Sequence, residues 1–216
     1  MRNVFAALVG LLMSSAVLPA QDGGNDASVA VYLKLGDDSS ARAIQHMKKE
    51  VAQLLRPTGV KIHWRMISDA RLHEEFQSVV VARFEGSCTT AYDAFAPVAA
   101  RKPAPLADTP VQDGHVLPFT RVDCAAVTRL TGPMLAGEAG ARRDFLYGRA
   151  LGRVLAHEIY HILGQTKTHE DKGIAKPAFH ARELLSEVFA FNEPAISVLR
   201  AGTRESVPAS DDVAGR

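Results

Sequence analysis

Residues 157–161 of this 216-residue sequence read His-Glu-Ile-Tyr-His, a pattern that could bind a metal ion and use it. On a helix, side chains at positions i and i+4 project from one face, so the imidazoles of His157 and His161 can both reach a single Zn²⁺. Glu158 lies beside this pair and can reach a water molecule at the metal without being a ligand itself. The spacing therefore predicts zinc-assisted attack of water on a carbonyl group, with Glu158 as the base.

A third protein ligand is expected, because hydrolytic zinc sites usually take three ligands and keep a fourth position for water. His169 follows the helix-ending Gly164, and a chain that reverses at a glycine can bring a loop imidazole back over the metal. Glu183 and Glu187 are the alternative third ligands, and both are also interpreted as solvated helix residues. The sequence favours His169, because the carboxylates require a whole second helix packed against the first.

A helix must position this motif, and the longest helical pattern of the chain spans residues 142–163 around it. Its apolar residues recur at three- and four-residue spacings, at Phe145, Leu146, Leu151, Val154, Leu155, Ile159 and Ile162. Gly148 and Gly152 weaken the pattern, and we expect them to permit close packing of the helix backbone on a sheet.

The N-terminal half of the chain predicts a β-α-β unit with a further strand. Residues 29–35, 60–67 and 79–84 alternate in polarity or are rich in β-branched side chains. Between the first two of these segments, Ser39 or Ser40 can cap an amphipathic helix that stops at a Pro-Thr-Gly sequence. A right-handed crossover through this helix makes the first two strands parallel.

The middle of the chain predicts an irregular excursion followed by an edge strand. From Cys88 to Gly114 the sequence is rich in Ala, Pro and Asp and has no sustained period. Residues 114–123 then read as a strand that Pro118 interrupts. Since proline cannot donate to a central ladder, we expect this strand at an edge of the sheet, where an extended peptide could add itself.

The C-terminal part of the chain predicts short helices. Pro177 precedes a helical pattern near residues 181–190, and a second short helix starts at residues 192–194. Residues 203–216 are interpreted as a disordered tail. Residues 21–202 are therefore expected to form a single domain.

Residues 1–20 predict a secretory signal peptide. Arg2 precedes an apolar run over residues 4–17, and the sequence Leu-Pro-Ala at residues 18–20 suits a cleavage site. This run is shorter than a membrane span, and no later run approaches that length. We therefore expect export to the periplasm or the medium, with no stable membrane insertion after the signal is removed.

Export determines how the two cysteines of the chain, Cys88 and Cys124, are interpreted. An oxidising compartment favours a disulfide, whereas a reducing cytosol favours free thiols or metal ligation. We predict that Cys88 and Cys124 form a disulfide. Two buried free thiols are the alternative.

Residues 157–161, followed by Gly164, resemble the zincin superfamily of metallopeptidases. The order of strand, helix, strands, edge strand and motif helix is similar to the zincin N-terminal subdomain. Residues 150–156, with Thr166 and His169 after the motif, resemble more closely a group of uncharacterised secreted bacterial proteins of zincin type. The resemblance implies an α+β fold, with a zincin-like mixed sheet, an active-site helix and a small helical C-terminal part.

Two departures from known zincin patterns leave the subclass open. In the metzincin pattern the third histidine would stand at Lys167, whereas His169 comes two positions later. No methionine follows Met134, so the sequence has no Met-turn. In the gluzincin pattern a glutamate of a later helix is the third ligand, a place that Glu183 or Glu187 could take.

Together these features predict an exported zinc-dependent hydrolase, in the first place a metallopeptidase with a peptide or protein substrate. A zinc-holding module that binds a partner without hydrolysis is one alternative, and a hydrolase of non-peptide amides is another. Nucleic acid is not expected as a partner, because 25 Lys and Arg balance 24 Asp and Glu and the basic residues are scattered.

Overall fold

A computed structural model describes residues 27–69, 74–90 and 105–205 of the chain. The predicted signal peptide, most of the predicted excursion and residues 206–216 of the predicted tail lie outside the described residues. The described part is a mixed β-sheet packed against helices, so the predicted α+β class is confirmed.

Five strands form the main sheet of the described residues, and all of its neighbouring pairs but one are parallel. The last strand in spatial order is antiparallel to the one beside it. From one edge to the other the strands are β2 (Val60–Met66), β1 (Ala27–Lys34), β3 (Ser78–Glu85), β7 (Phe119–Asp123) and β4 (Ala107–Asp108).

The predicted β-α-β unit is confirmed. The crossover from β1 to β2 is helix α1 (Ala41–Leu55), and the two strands pair in parallel. Ser40 caps the helix, because its side-chain oxygen accepts a hydrogen bond from the backbone N–H of Ala43 at 3.2 Å. The apolar stripe of α1 packs with the buried side chains of β1 and β3 into the core.

Four further helices follow the strands, and short 3₁₀ turns occupy Arg56–Thr58 and Ile67–Asp69. The helices are α2 (Cys124–Leu135), α3 (Gly140–Leu163), α4 (Ala181–Leu185) and α5 (Glu193–Glu205). None of the helices in the described ranges is long and apolar enough to cross a membrane. Helix α3 confirms the predicted motif helix, with a start two residues earlier.

Sequence analysis missed helix α2. Its interior contains Gly132 and Pro133, which weaken a helical pattern. The helix forms because Asp123 caps it, accepting a hydrogen bond from the N–H of Ala126 at 2.8 Å, and because one face is buried in the core.

The predicted edge strand over residues 114–123 is wrong. The segment divides at Pro118 into β6 (His115–Val116), which pairs with β5 (Val111–Gln112) in a hairpin, and β7. Strand β7 lies inside the sheet, between β3 and β4, and β4 is the edge. Pro118 is tolerated because it precedes β7, where its carbonyl accepts a hydrogen bond from the N–H of Val81 at 2.8 Å.

The C-terminal helices differ in length from the prediction. Helix α4 ends at Leu185, where Arg149 of α3 donates to the carbonyl oxygens of Leu185 and Ser186. Helix α5 continues to Glu205, so residues 203–205 are helical and not part of a tail. The longer helix is stabilised by burial of one face, which includes Leu199.

The predicted disulfide between Cys88 and Cys124 is confirmed, with the two Cα atoms 5.0 Å apart. Both cysteines are fully buried. The bridge ties the segment after β3 to the first residue of α2, so it fixes one wall of the molecule next to α3.

Gly148 and Gly152 pack on helix α1, and the expectation that they face the sheet is wrong. A Cβ atom built on Gly152 would lie 2.7 Å from Cβ of Glu50 and 2.9 Å from the carbonyl oxygen of Met47. A Cβ on Gly148 would meet the backbone of α1 in the same way. The glycines therefore let the backbones of α1 and α3 approach closely, which places the motif end of α3 over the sheet.

We expect Gly152→Ala to lower the free energy of unfolding by about 1–3 kcal/mol, because the added methyl group forces the two helices apart. Gly140→Ala is the matched control, since a Cβ at Gly140 meets nothing within 4 Å. Urea denaturation monitored by circular dichroism measures both variants. Equal stability of the two variants would contradict the close packing of α1 and α3.

Candidate metal centre

Three histidines from two parts of the chain converge at the C-terminal half of α3. His157 and His161 project from α3 and are 7% and 8% exposed, whereas His169 lies in the following loop and is exposed. One ring nitrogen of each lies within 4.8 Å of those of the other two, an arrangement that could hold a metal ion. The structure thus brings together the three histidines that the sequence singled out.

Backbone carbonyl groups orient the two helical imidazoles. Nδ1 of His157 lies 2.7 Å from the carbonyl oxygen of Ile174, and Nδ1 of His161 lies 2.7 Å from that of Thr166. Since a carbonyl oxygen can only accept, each Nδ1 must carry the proton and donate it. Each Nε2 of the neutral rings is then left with its lone pair, which is the form that binds a metal.

The two Nε2 atoms of His157 and His161 face each other at 3.0 Å. With both Nδ1 atoms acting as donors, neither Nε2 of the neutral rings has a proton to give to the other, so two lone pairs point at one region. A cation there would satisfy both. In a tetrahedral zinc site with Zn–N bonds of about 2.0–2.1 Å, two ligand nitrogens lie about 3.3 Å apart, close to the separation here.

Burial keeps the helical imidazoles neutral. The pKa of His157 is lowered to about 4, mainly by desolvation and also by the neighbouring His161 and His169, against the opposing effect of the hydrogen bond to Ile174. Burial also lowers the pKa of His161, helped by His169. Both rings are therefore neutral at pH 7, with each Nε2 free of a proton and available to bind a metal.

The loop after α3 returns His169 to the helix because it is fastened at both ends. At its start, the backbone N–H of Thr166 donates to the carbonyl oxygen of His161 at 3.2 Å. At its end, Gly173 has a positive φ of 73°, and the N–H of Ile174 donates to the carbonyl oxygen of Ala190 at 3.1 Å. The same loop therefore supplies the third histidine and both carbonyl acceptors.

A buried ion pair holds α3 one turn before the metal centre. Arg153 is 1% exposed, and its Nε donates to Oε1 of Glu50 on α1 at 2.8 Å. Its Nη1 also donates to the carbonyl oxygen of Glu183 and to Oγ of Ser186. The guanidinium thus connects α1, α3 and α4, so the motif helix is fixed on two sides.

Glu158 is buried beside the histidines and is not one of the clustered ligands. Thr109, directly after β4, donates its hydroxyl to Oε2 of Glu158 at 2.6 Å. The pKa of Glu158 is raised to about 7, mainly by burial and also by Asp108, against the opposing effect of the Thr109 hydrogen bond. Sequence analysis missed Thr109, which lies 49 positions away and carries no local signal.

The alternative ligands Glu183 and Glu187 do not join the cluster. The carboxylate of Glu183 accepts hydrogen bonds from Nζ of Lys176 at 2.6 Å and from the N–H of His180 at 2.8 Å, which caps α4. Glu187 is exposed and lines a separate cleft with Arg149. Within the described ranges, no carboxylate belongs to the group of metal-ligating side chains.

Two open cavities meet at His157 and Glu158. One of about 640 Å³ lies between β4, α2 and residues 177–179, and its walls are mainly apolar. The other, of about 430 Å³, lies between β4, the β5–β6 hairpin and the three histidines. The carboxylate and the imidazoles therefore stand at the middle of a continuous groove, where a bound molecule could reach both.

Comparisons with known proteins add no relative: no family model matches the chain, and no curated protein has a significantly similar sequence. What the site can do is therefore judged from its own residues. Three imidazoles with a neighbouring carboxylate that is not a ligand can hold a divalent transition metal and move a proton beside it.

We expect His169→Ala to weaken zinc binding by orders of magnitude, because it removes one of the three converging imidazoles. Glu183→Ala is the control and should change the dissociation constant by about tenfold at most, since its carboxylate points to Lys176. Competition with a chromophoric chelator measures both constants. Unchanged zinc affinity in His169→Ala, or a large loss of affinity in Glu183→Ala, would indicate that the third ligand is a carboxylate and not His169.

Proposed function

We propose that this protein is an exported zinc-dependent metallopeptidase of zincin type. The observation that carries the proposal is the position of Glu158, buried next to a cluster of three histidines and held by Thr109. A carboxylate in this place is close enough to act on a water molecule at the metal, yet it is not needed as a ligand.

The donor set supports zinc as the metal. Zinc accepts imidazole nitrogens in tetrahedral geometry, and a site with three protein ligands keeps one position for water or substrate. When bound, zinc would supply Lewis-acid chemistry, lowering the pKa of water and polarising a carbonyl group. His157, His161 and His169 would hold the ion, with Ile174 and Thr166 fixing the ring orientation of the first two.

Glu158 would move the proton during hydrolysis. It takes a proton from the attacking water as the new C–O bond forms, and gives it to the amide nitrogen as the C–N bond breaks, so the products are a carboxylic acid and an amine. The Thr109 hydroxyl holds Oε2, which leaves Oε1 for the water.

The edge of the sheet supports a peptide as the substrate. Strand β4 is the terminal strand of the described sheet and leads directly into Thr109. An extended peptide could add to β4 through main-chain hydrogen bonds, which would place its backbone carbonyls beside Glu158. A non-peptide amide would not use this edge, so we favour a peptide over that alternative.

The disulfide supports export. Cys88 and Cys124 are fully buried and bridged, which fits a protein that folds in an oxidising compartment. Together with the predicted signal peptide over residues 1–20, this favours the periplasm or the medium as the site of action.

We expect Glu158→Ala to retain one bound zinc per chain and to lose peptide hydrolysis by at least about 100-fold, because a base is removed and no ligand is. Elemental analysis gives the zinc content, and turnover of an unbiased peptide library gives the activity. Chelator-treated wild type is the control for metal dependence. Zinc-loaded wild type that cleaves no peptide would favour the non-hydrolytic binding module instead.

We further expect Thr109→Val to reduce kcat by about tenfold while leaving zinc affinity unchanged, because the isosteric side chain cannot hold the Glu158 carboxylate in place. Thr109→Ser retains the hydroxyl and is the matched control. Steady-state kinetics on one library-derived peptide compares them. Equal kcat for the valine and serine variants would show that this hydrogen bond does not position the base.

A further inference from the structure

The cavity of about 640 Å³ beside Glu158 has an unusual distribution of charge. Among the described residues that line it, Glu158 and Arg129 are the charged ones. The walls around them are apolar and include Leu106, Leu130, Val154 and Phe179. One cation and the proposed base thus line the same mainly apolar space, whose volume suits a ligand larger than one side chain.

Arg129 is an exposed residue of α2 whose guanidinium is not paired within the described ranges. Arg121 is paired with Asp108, and Arg153 with Glu50. Arg129 has neither a hydrogen bond nor an ion pair with a described residue. It lies on α2 and lines the cavity together with Ala126 of the same helix. Its donors are therefore available to a molecule in the cavity.

We propose that Arg129 binds a carboxylate of the substrate and makes this cavity select acidic peptides; this inference rests on the proposed function. A guanidinium binds a carboxylate through two parallel hydrogen bonds, so an acidic side chain or a free C-terminus supplies the matching group. The apolar walls, with Leu130 and Phe179, accept the aliphatic parts of the same residue and its neighbours.

The second cavity supports the same preference. Lys167 lines it and, like Arg129, has no ion-pair partner in the part of the chain that the structure describes. The carboxylate that faces this cavity, Asp108, is neutralised by Arg121, whose Nε and Nη2 both donate to it. Apart from Glu158, the unpaired charges along the groove are therefore positive, which attracts acidic and repels basic substrates.

The test uses internally quenched peptides that share one cleavable core and carry Glu, Gln or Lys at each position flanking the bond. Each is made with an amidated and a free C-terminus, which separates side-chain from terminal carboxylates. We expect wild type to cleave the peptide with a carboxylate at one of these places, a flanking side chain or the C-terminus, with a kcat/KM about tenfold higher than that of its neutral counterpart. Arg129→Gln should abolish this preference, Arg129→Lys should retain part of it, and Arg129→Glu should favour the lysine peptide.

Arg182→Gln is the matched control, because Arg182 is an exposed arginine of α4 that lines neither cavity. It should keep the preference of wild type. A wild-type protein that does not distinguish the acidic from the neutral peptides, or a preference that survives in Arg129→Gln, overturns the proposal.

A binding measurement separates this inference from the proposed function. Fluorescence anisotropy of the same peptides, made without the quencher, on zinc-loaded Glu158→Ala reports affinity when no bond is cleaved. We expect the acidic peptide to bind about tenfold more tightly than the neutral one, and Arg129→Gln in the same background to remove the difference. If wild type cleaves nothing but this difference is seen, the peptidase proposal fails and the carboxylate site stands; if the difference is absent, the carboxylate site is rejected.

Discussion

Two backbone carbonyl groups, those of Thr166 and Ile174, accept hydrogen bonds from the buried imidazoles of α3, and the candidate metal centre depends on them. They fix both Nδ1 atoms as donors, which leaves lone pairs on the two Nε2 atoms that face each other. Both carbonyls belong to the loop that returns His169 to the helix. One loop therefore sets the tautomer of two of the candidate ligands and the position of the third, which would couple its conformation to the affinity for a metal.

This loop can orient the imidazoles only because α3, which carries His157 and His161, is itself held in place. Gly148 and Gly152 let α3 approach α1 closely, and Arg153 joins α1 and α4 through the carboxylate of Glu50 and the backbone carbonyl of Glu183. A buried ion pair of this kind adds little net stability, since desolvation offsets much of its attraction. Its effect here is to fix the position of α3, because the Arg153 guanidinium connects α1, α3 and α4 one helical turn before His157.

The sheet contributes the other half of the groove. The end of strand β4 presents Thr109 to Glu158, so the carboxylate is held between α3 and the sheet edge, at the point where the two cavities meet. A molecule bound along β4 would pass the histidines on one side and the α2 wall with Arg129 on the other. If the proposed function holds, this edge would orient a substrate backbone while the cavities select its side chains.

The sequence by itself determined the features that depend on residues close together in the chain. The i, i+4 histidine pair is read directly from the sequence, helix α3 and the β1-α1-β2 unit follow from local periodicity, the α+β class follows from the resemblance, and the disulfide follows from the two cysteines and the predicted compartment. Tertiary structure decided the rest: the burial of β7 inside the sheet, the packing of Gly152 on α1, the Thr109 hydrogen bond, and the approach of His169 instead of Glu183. Those outcomes join residues distant in the chain, and their free energies come from packing and hydrogen bonds that no local pattern encodes.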